Sequence, residues 1–330
     1  MSTVKDVARE AGVSVGTVSK VLSNDQTVKP VLRARVMQAV TELNYRPNMA
    51  ARALRTNKIN TIGLVVPDIT NPFFAQLALG IETEAAKRGH LVMLTNSHED
   101  PHTEQRQIAA LLEQSPRGLI VVASNDSSAA LDDAKVRVLS VDRRFHACPL
   151  ISTNHVIGAS KVASHLVNLG HRRLAYLSGP QNTEVGRQRL QGFKTQFERH
   201  QKQDASLSLV TREGQFDYES GEQHARDLLA GPKHTRPTAI AAASDQMAIG
   251  VLRAARDMEI SVPEELSVTG YDDITLASLV VPRLTTLAQP TMALAAEAVT
   301  QILQDADVAL TDALVEGELI IRGSTAAAPR

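Results

Sequence analysis

The residues nearest the start of the chain that could do recognition chemistry fall in one short run, Ser14-Val15-Gly16-Thr17-Val18-Ser19-Lys20. Small hydroxyls, a branched methyl pair, a bare backbone and an ammonium at the beginning of an amphipathic helix suit the edges of DNA bases. Val15 fits a thymine methyl, Gly16 reads nothing itself, and Lys20 can hydrogen-bond guanine. Charge points to the same partner. Residues 1–60 carry 10 Lys and Arg against 4 acids, and the remainder carries 25 against 32. The net charge of −1 thus conceals a basic head on an acidic body, which suits a polyanion meeting the head.

These side chains need helices to hold them. Thr3 caps a first helix with Asp6 three residues on, and Val4, Val7, Ala8 and Ala11 share its buried face. Gly12-Val13-Ser14 breaks the pattern, and Ser14 caps a second helix with Val18, Val21 and Leu22 on one face. Ala8 lets the two helices approach, and Gly12 supplies the left-handed turn. Pro30 opens a third helix that buries Leu32, Val36, Ala39, Val40 and Leu43. Residues at the start of the second helix, with the capping Thr3 and Ser14, then face DNA, and Ser14, Val15, Gly16, Thr17 and Lys20 reach the major groove.

From Asn60 apolar runs alternate with helical stretches. Thr61–Val66, Leu91–Thr95, Gly118–Ala123, Val136–Val141, Leu174–Ser178, Ala239–Ala243, Leu266–Thr269 and Thr285–Leu287 read as buried parallel strands, compatible with one closed barrel or two doubly wound sheets. Gly323–Arg330 reads as a ragged tail. Several chemistries are excluded. There is no Gly-rich phosphate loop or nucleophile elbow, so no catalytic residue and no enzyme activity is expected. The single Cys148 rules out a disulfide framework and a Cys-based metal cluster within one chain. His98 and His102 are separated by Pro101 and read as a solvated turn, so no metal or cofactor is expected. No charged-then-apolar leader and no membrane-spanning run is present, and a cytoplasmic protein is expected.

Val4 to Leu22 resembles the headpiece of the LacI/GalR family of repressors, and the likeness extends along the chain. The next segment, Tyr45 to Lys58, resembles that family's hinge helix. Asn48 would cap it, and about eight residues are too few for a stable isolated helix. By this resemblance Leu54 wedges between central base pairs in the minor groove, flanked by Arg52 and Arg55 on the backbone. The reading surface departs from the best-known members at Val15 and Gly16, which shifts specificity to Lys20, the hinge and DNA deformability.

The resemblance also resolves the body. It implies an α/β periplasmic-binding-protein-like domain of two doubly wound parallel-sheet subdomains behind a small all-α helix-turn-helix headpiece. The expected bounds are 1–46 for the headpiece, 47–59 for the hinge, and 60–330 for the effector and dimerisation domain. Its first subdomain would cover about 60–160 and 291–320, its second about 161–290 and 321–330. Ligand would lie in the cleft, at the C-terminal ends of the strands. The polar and aromatic residues that end the apolar runs are similar to the pocket of ribose-binding proteins. Asn71, Asp142, Arg143, Arg189, Asp272 and Gln289 would then bond hydroxyls, and Phe73, Phe74 and Phe216 would sandwich the ring. Ser244 stands where that pattern has Asn. The implied partners are a near-palindromic double-stranded operator, a monosaccharide-like effector and a second copy of the chain, with no membrane. A sugar receptor without DNA function, and a regulator answering to a nucleoside or purine, are the alternatives.

Overall fold

The computed structural model describes residues 2–22, 25, 27–45, 60–126 and 136–329. The chain divides into two units, Met1–Ile59 and Asn60–Arg330. The expected hinge residues Asn48, Arg52, Leu54 and Arg55 lie outside the described residues.

The first unit holds α1 (Val4–Glu10), α2 (Val15–Leu22) and α3 (Pro30–Glu42). Thr3 and Asp6 form a reciprocal capping box at the start of α1. The Ser14 hydroxyl accepts from the Thr17 N–H at 3.1 Å and fixes the start of α2. Gly12 takes φ +60°, and a side chain there would also meet the Arg35 guanidinium at 2.6 Å, which itself donates to the Ala11 carbonyl. Val7, Ala8, Ala11, Val18, Val21, Val36 and Ala39 close the small core.

In the second unit, β1 (Thr61–Val66), α4 (Pro72–Lys87), β2 (Leu91–Asn96), α5 (Pro101–Glu113), β3 (Gly118–Val121), β4 (Arg137–Val141) and β5 (Leu150–Thr153) build a first lobe. The chain then crosses into α6 (His155–Asn168), β6 (Arg173–Ser178), α7 (Glu184–Gln201), β7 (Ser208–Glu213), α8 (Tyr218–Leu229), β8 (Ala239–Ala242), α9 (Asp245–Asp257), β9 (Ser267–Asp272), a 3-10 turn at Thr275–Ser278 and β10 (Thr285–Ala288). It returns as α10 (Thr291–Leu303) and β11 (Ala313–Val315), and crosses last into β12 (Glu318–Ile320).

Among the described residues there are two six-stranded sheets, ordered β11-β5-β4-β3-β1-β2 and β12-β10-β9-β8-β6-β7. Every pairing is parallel except β10 with β12. In register, Val65 faces Val121 and Leu177 faces Ala242. Each sheet reverses its winding beside its first strand, β1 or β6, so a crevice opens at the carboxyl ends there. The two layers bury separate cores, one around Phe74, Leu77 and Ile120 and the other around Phe193, Phe197 and Tyr271.

The three crossings lie side by side. The Asn154 N–H donates to the Val315 carbonyl at 2.8 Å, and Thr153 Oγ1 donates to Gln289 Oε1 at 2.7 Å. A Cβ at Gly317 would stand 2.7 Å from the Ala288 carbonyl, so only glycine lets the last crossing pass this close. Two boundaries differ from the sequence reading. Residues 155–160 open the helix that packs along α7 and so go with the second lobe, and β12 pairs with β10 rather than staying with the first sheet. Helix packing decides the first and backbone pairing across 30 or more residues the second, and no local pattern carries that information. The tail is not ragged either. The Val268 N–H donates to the Ser324 carbonyl, and the Ala328 N–H to the Leu169 carbonyl, which ties 324–328 along β9 and α6.

Candidate functional site

Two candidate surfaces emerge, one in each unit. On the first unit, Ser14, Gly16 and Lys20 are exposed, as is Thr3 at the start of α1. A Cβ at Gly16 would meet nothing closer than the Ser14 hydroxyl at 3.6 Å, so close approach by a partner is open there. Val15 differs from expectation. It is half-buried and packs against the helical core, so its methyls serve the fold as much as a partner. The Thr17 hydroxyl lies 3.0 Å from that of Ser14 and is partly committed to the cap.

On the second unit, one cavity lies at the carboxyl ends of the strands, between the lobes. Its walls are Asn71, Phe73, Phe74, Asp142, Arg143, Val185, Arg189, Phe216, Ser244 and Asp272. The structure therefore brings together every cleft residue named from the sequence except Gln289. That side chain is consumed behind the wall. Its Nε2 donates to Asp272 Oδ1 at 2.8 Å and its Oε1 accepts from Thr153, so it holds Asp272 and a crossing in place of a ligand. Ser244 lines the cavity, but its hydroxyl donates to the Phe216 carbonyl and accepts from the Met247 N–H as the cap of α9.

Each remaining group is placed by an element's end. Asn71 caps α4 with its Oδ1 on the Phe73 N–H, which leaves its amide donors uncommitted. Phe73 and Phe74 follow Pro72 and pack edge to face, 5.3 Å between centroids. Asp142 and Arg143 directly follow β4. The Arg143 guanidinium lies 5.1 Å from the Phe74 ring and 5.8 Å from that of Phe216, with Nη1 on the Ser124 carbonyl at 3.1 Å. Arg189, one turn into α7, donates through Nη1 to the Ala243 carbonyl at 2.6 Å and pairs with Asp272 Oδ1 at 3.2 Å. Its guanidinium covers the Tyr271 ring at 3.8 Å.

Asp142, Phe216 and Asp272 adopt φ of +62°, +63° and +113°. Left-handed backbone is costly for these residue types and collects at functional sites, where surrounding packing enforces it.

Electrostatics follow from burial. The Asp272 carboxyl is pushed up to about 6 by burial and by the Asp142 charge, with Arg189 and Gln289 pulling the other way. Burial also raises Asp142, but His155, Arg189 and Arg143 outweigh it and hold the group below its ordinary value. Behind the wall, burial and the Asp272 charge push Asp245 well up; its oxygens receive the Ile274 N–H and the Thr286 hydroxyl. Two wall atoms are buried with no hydrogen-bond partner: Asp142 Oδ1, an acceptor, and Arg143 Nε, a donor. Among the described residues no group of three or more His, Cys, Asp or Glu is arranged to hold a metal ion.

Val185 and His155 were missed by the sequence reading. His155 is buried against Asp142, Arg189 and Tyr271. It follows β5, whose four residues are too short an apolar run to announce a strand end.

The lobes also meet at the mouth of the cleft. Asp126 of the first lobe pairs with Arg187 at 2.5 Å and accepts from the Glu184 N–H at 3.1 Å. The free volume inside is about 20 Å³, close to the least that holds one water.

Comparison with known proteins places both surfaces in context. Residues 3–48 match the model of the bacterial regulatory proteins of the lacI family, and residues 163–325 that of a periplasmic binding protein-like domain. The chain is 34% identical over 309 residues to the ribose operon repressor of Escherichia coli, covering 88% of each chain. Its fold is similar to a lac repressor dimer solved with operator and the anti-inducer ONPF, with TM-score 0.84, 30% identity and 99% of both chains covered. It is also similar to a periplasmic binding protein/LacI transcriptional regulator from Alkaliphilus metalliredigens complexed with D-xylulofuranose, with TM-score 0.70, 27% identity, and 81% and 99% covered.

Proposed function

The chain belongs to the LacI family of bacterial regulatory proteins, and from that premise we propose that it represses genes of carbohydrate uptake or catabolism, holding a near-palindromic operator as a homodimer until a monosaccharide-like effector occupies the cleft. It is a regulator and not an enzyme. No helix among the described residues is long and apolar enough to cross a membrane.

The observation that carries the effector assignment is the pair of unmet polar atoms. Asp142 Oδ1 and Arg143 Nε, an acceptor and a donor on adjacent residues, are buried in a wall that also presents phenyl rings. A buried polar atom left unpaired costs about 1–3 kcal/mol. A hydroxyl group, donor and acceptor at once, repays both, and a sugar carries such groups beside apolar ring faces. Arginines 143 and 189 are balanced by Asp142 and Asp272, which favours a neutral ligand over a phosphorylated one. The name of the E. coli relative and the D-xylulofuranose complex support a pentose. The small free volume means that the lobes must part, or Phe216 must move, to admit it.

The dimer is supported by exposed apolar side chains on both lobes. Gln76 Nε2 donates to Thr275 Oγ1 at 3.1 Å, which ties the outer face of α4 to the 3-10 turn. Leu79, Leu279 and Val281 beside this link are 65%, 66% and 94% exposed. A second copy covering those side chains on both lobes would sense the angle between the lobes. Ligand can shift this equilibrium only by its differential affinity for the two angles.

Two measurements test the proposal. Duplex selected from random sequence should yield a near-palindrome whose affinity falls steeply with salt. Calorimetry against neutral pentoses and hexoses should find one that binds. Binding of a purine or nucleoside alone would replace the sugar reading.

A further inference from the structure

We propose that His155 is a positioning residue for the cleft ligand: a neutral imidazole whose Nδ1 accepts the Arg189 Nε–H, fixing that guanidinium from the second lobe to Ser152 in the first. This rests on the reading that the cleft takes a polyhydroxylated ligand.

The hydrogen bond at Nδ1 assigns the tautomer. Arginine has donors only, so the 3.3 Å contact between Arg189 Nε and His155 Nδ1 requires a lone pair on Nδ1. Tyr271 Oη, 3.2 Å from the same nitrogen, can then only donate. The proton therefore sits on Nε2, which lies 3.2 Å from Ser152 Oγ. Ser152 accepts it and has two carbonyls in reach for its own hydroxyl proton, those of Asp142 and Thr153, each at 3.2 Å. A hydrogen-bonded chain runs from α7 through His155 to Ser152 on β5 of the first lobe, next to the strand that Asp142 follows. Nε2 also stands 3.5 Å from Asp142 Oδ1, too long for a good bond but within electrostatic reach.

Its place in the chain adds to this. His155 is the first residue of α6, directly after the crossing at Asn154. It is 1% exposed, and a side chain at Gly158 one turn on would clash with Leu287 and stand 2.5 Å from Tyr271 Oη, so glycine there lets the helix approach both. Asp142, Arg143, Arg189 and Tyr271 are the ionisable groups around it. Burial first, then Arg189 and Arg143, hold the imidazole down to about 4 against the pull of Asp142. The neutral ring is the form that this environment favours. A protonated ring would lose the acceptor and set a second cation beside Arg189.

With Nε held, only the Nη edge of Arg189 faces Ala243, Asp272 and the cavity. The guanidinium thus offers a ligand one fixed edge, and swinging it drags the first crossing. Ligand engagement and lobe angle are joined at this side chain.

The test uses the full-length dimer labelled with ¹⁵N at histidine and arginine. The wild type should show His155 as the Nε2–H tautomer through neutral and mildly acidic pH, with an Arg189 Nε–H protected from exchange. In His155→Leu that protection should vanish, and in His155→Asn, whose amide oxygen can replace the acceptor, it should return. D-ribose affinity should drop about tenfold or more in the Leu variant, the loss of roughly one charge-assisted bond, and recover in the Asn variant. A proton on Nδ1, or an Arg189 Nε–H equally protected in His155→Leu, overturns the proposal. If the wild type ignores D-ribose, the pentose reading fails on its own, and the Arg189 signal still decides the role of His155.

Discussion

Arg189 and Asp272 stand 3.2 Å apart, both almost fully buried, and neither is satisfied by the other alone. Arg189 needs Ala243 and His155 as acceptors, and Asp272 needs Gln289 as a donor. A buried pair of this kind is weak evidence for stability, because desolvation offsets most of the attraction. Its value lies in presenting charged hydrogen-bonding edges to a cavity.

Asp272→Asn should therefore cost effector affinity more than stability. The amide keeps the volume and one acceptor but loses the charge. Charged hydrogen bonds contribute about 1.5–3 kcal/mol, so the dissociation constant should rise by roughly tenfold to more than a hundredfold. Calorimetry with the sugar that the wild type binds measures this. Unchanged affinity would remove Asp272 from the contact set.

The pH dependence of stability should expose two opposing slopes. Asp272 titrates at about 6 in the folded chain and near 3.8 when free, so the folded state holds its proton more tightly. Its contribution is present below the free value and is lost as pH rises through about 6. His155 titrates at about 4 against 6.5 when free, so the unfolded chain takes the proton first. That contribution is present above 6.5 and is lost as pH falls towards 4. Urea unfolding between pH 4 and 6 should show Asp272→Asn steepening the acid loss and His155→Leu flattening it. A shift of both variants in the same direction would contradict the assignment.

In the helical unit, Ser14→Ala removes the cap of α2 and should cost about 1 kcal/mol, seen as a lower unfolding midpoint of that unit. Gly12→Ala should cost at least as much, since φ is +60° and the new methyl meets Arg35. Operator affinity should fall in step with either loss. An unaffected midpoint for Ser14→Ala would mean that its hydroxyl serves DNA and not the helix.

Much of the cleft was legible because its chemistry sits where apolar runs stop. Asp142-Arg143 and Ser244 follow strands that periodicity reveals, and Tyr271-Asp272 end one. What escaped depends on distant pairing. The partners of His155 lie 34 and 116 residues away, at Arg189 and Tyr271. Gln289 carries the right group for a sugar, and only the fold reveals that Thr153 and Asp272 use both ends of it. The left-handed backbone at Asp142 and Phe216 had no glycine to signal it. Strands β11 and β12, three residues each, exist through their neighbours rather than through any pattern of their own.

Leu54 gives a prediction that rests on family resemblance. Leu54→Ala removes a wedge but no charge, so it should weaken operator binding much more than binding to random duplex. Arg55→Ala should lower both and reduce the salt slope. Equal losses on the two DNAs for Leu54→Ala would leave no wedge at that position.

The central claim is that the cleft and the DNA-reading helices share one free-energy coupling. The most direct measurement is the affinity of the full-length dimer for its sugar, by calorimetry, with and without saturating operator duplex. If sugar releases DNA, as we propose, operator must weaken sugar binding by the same factor by which sugar weakens operator binding, typically about 5- to 150-fold. Identical sugar affinity in the two states would mean that the pocket binds its ligand without governing the DNA, and would contradict the account.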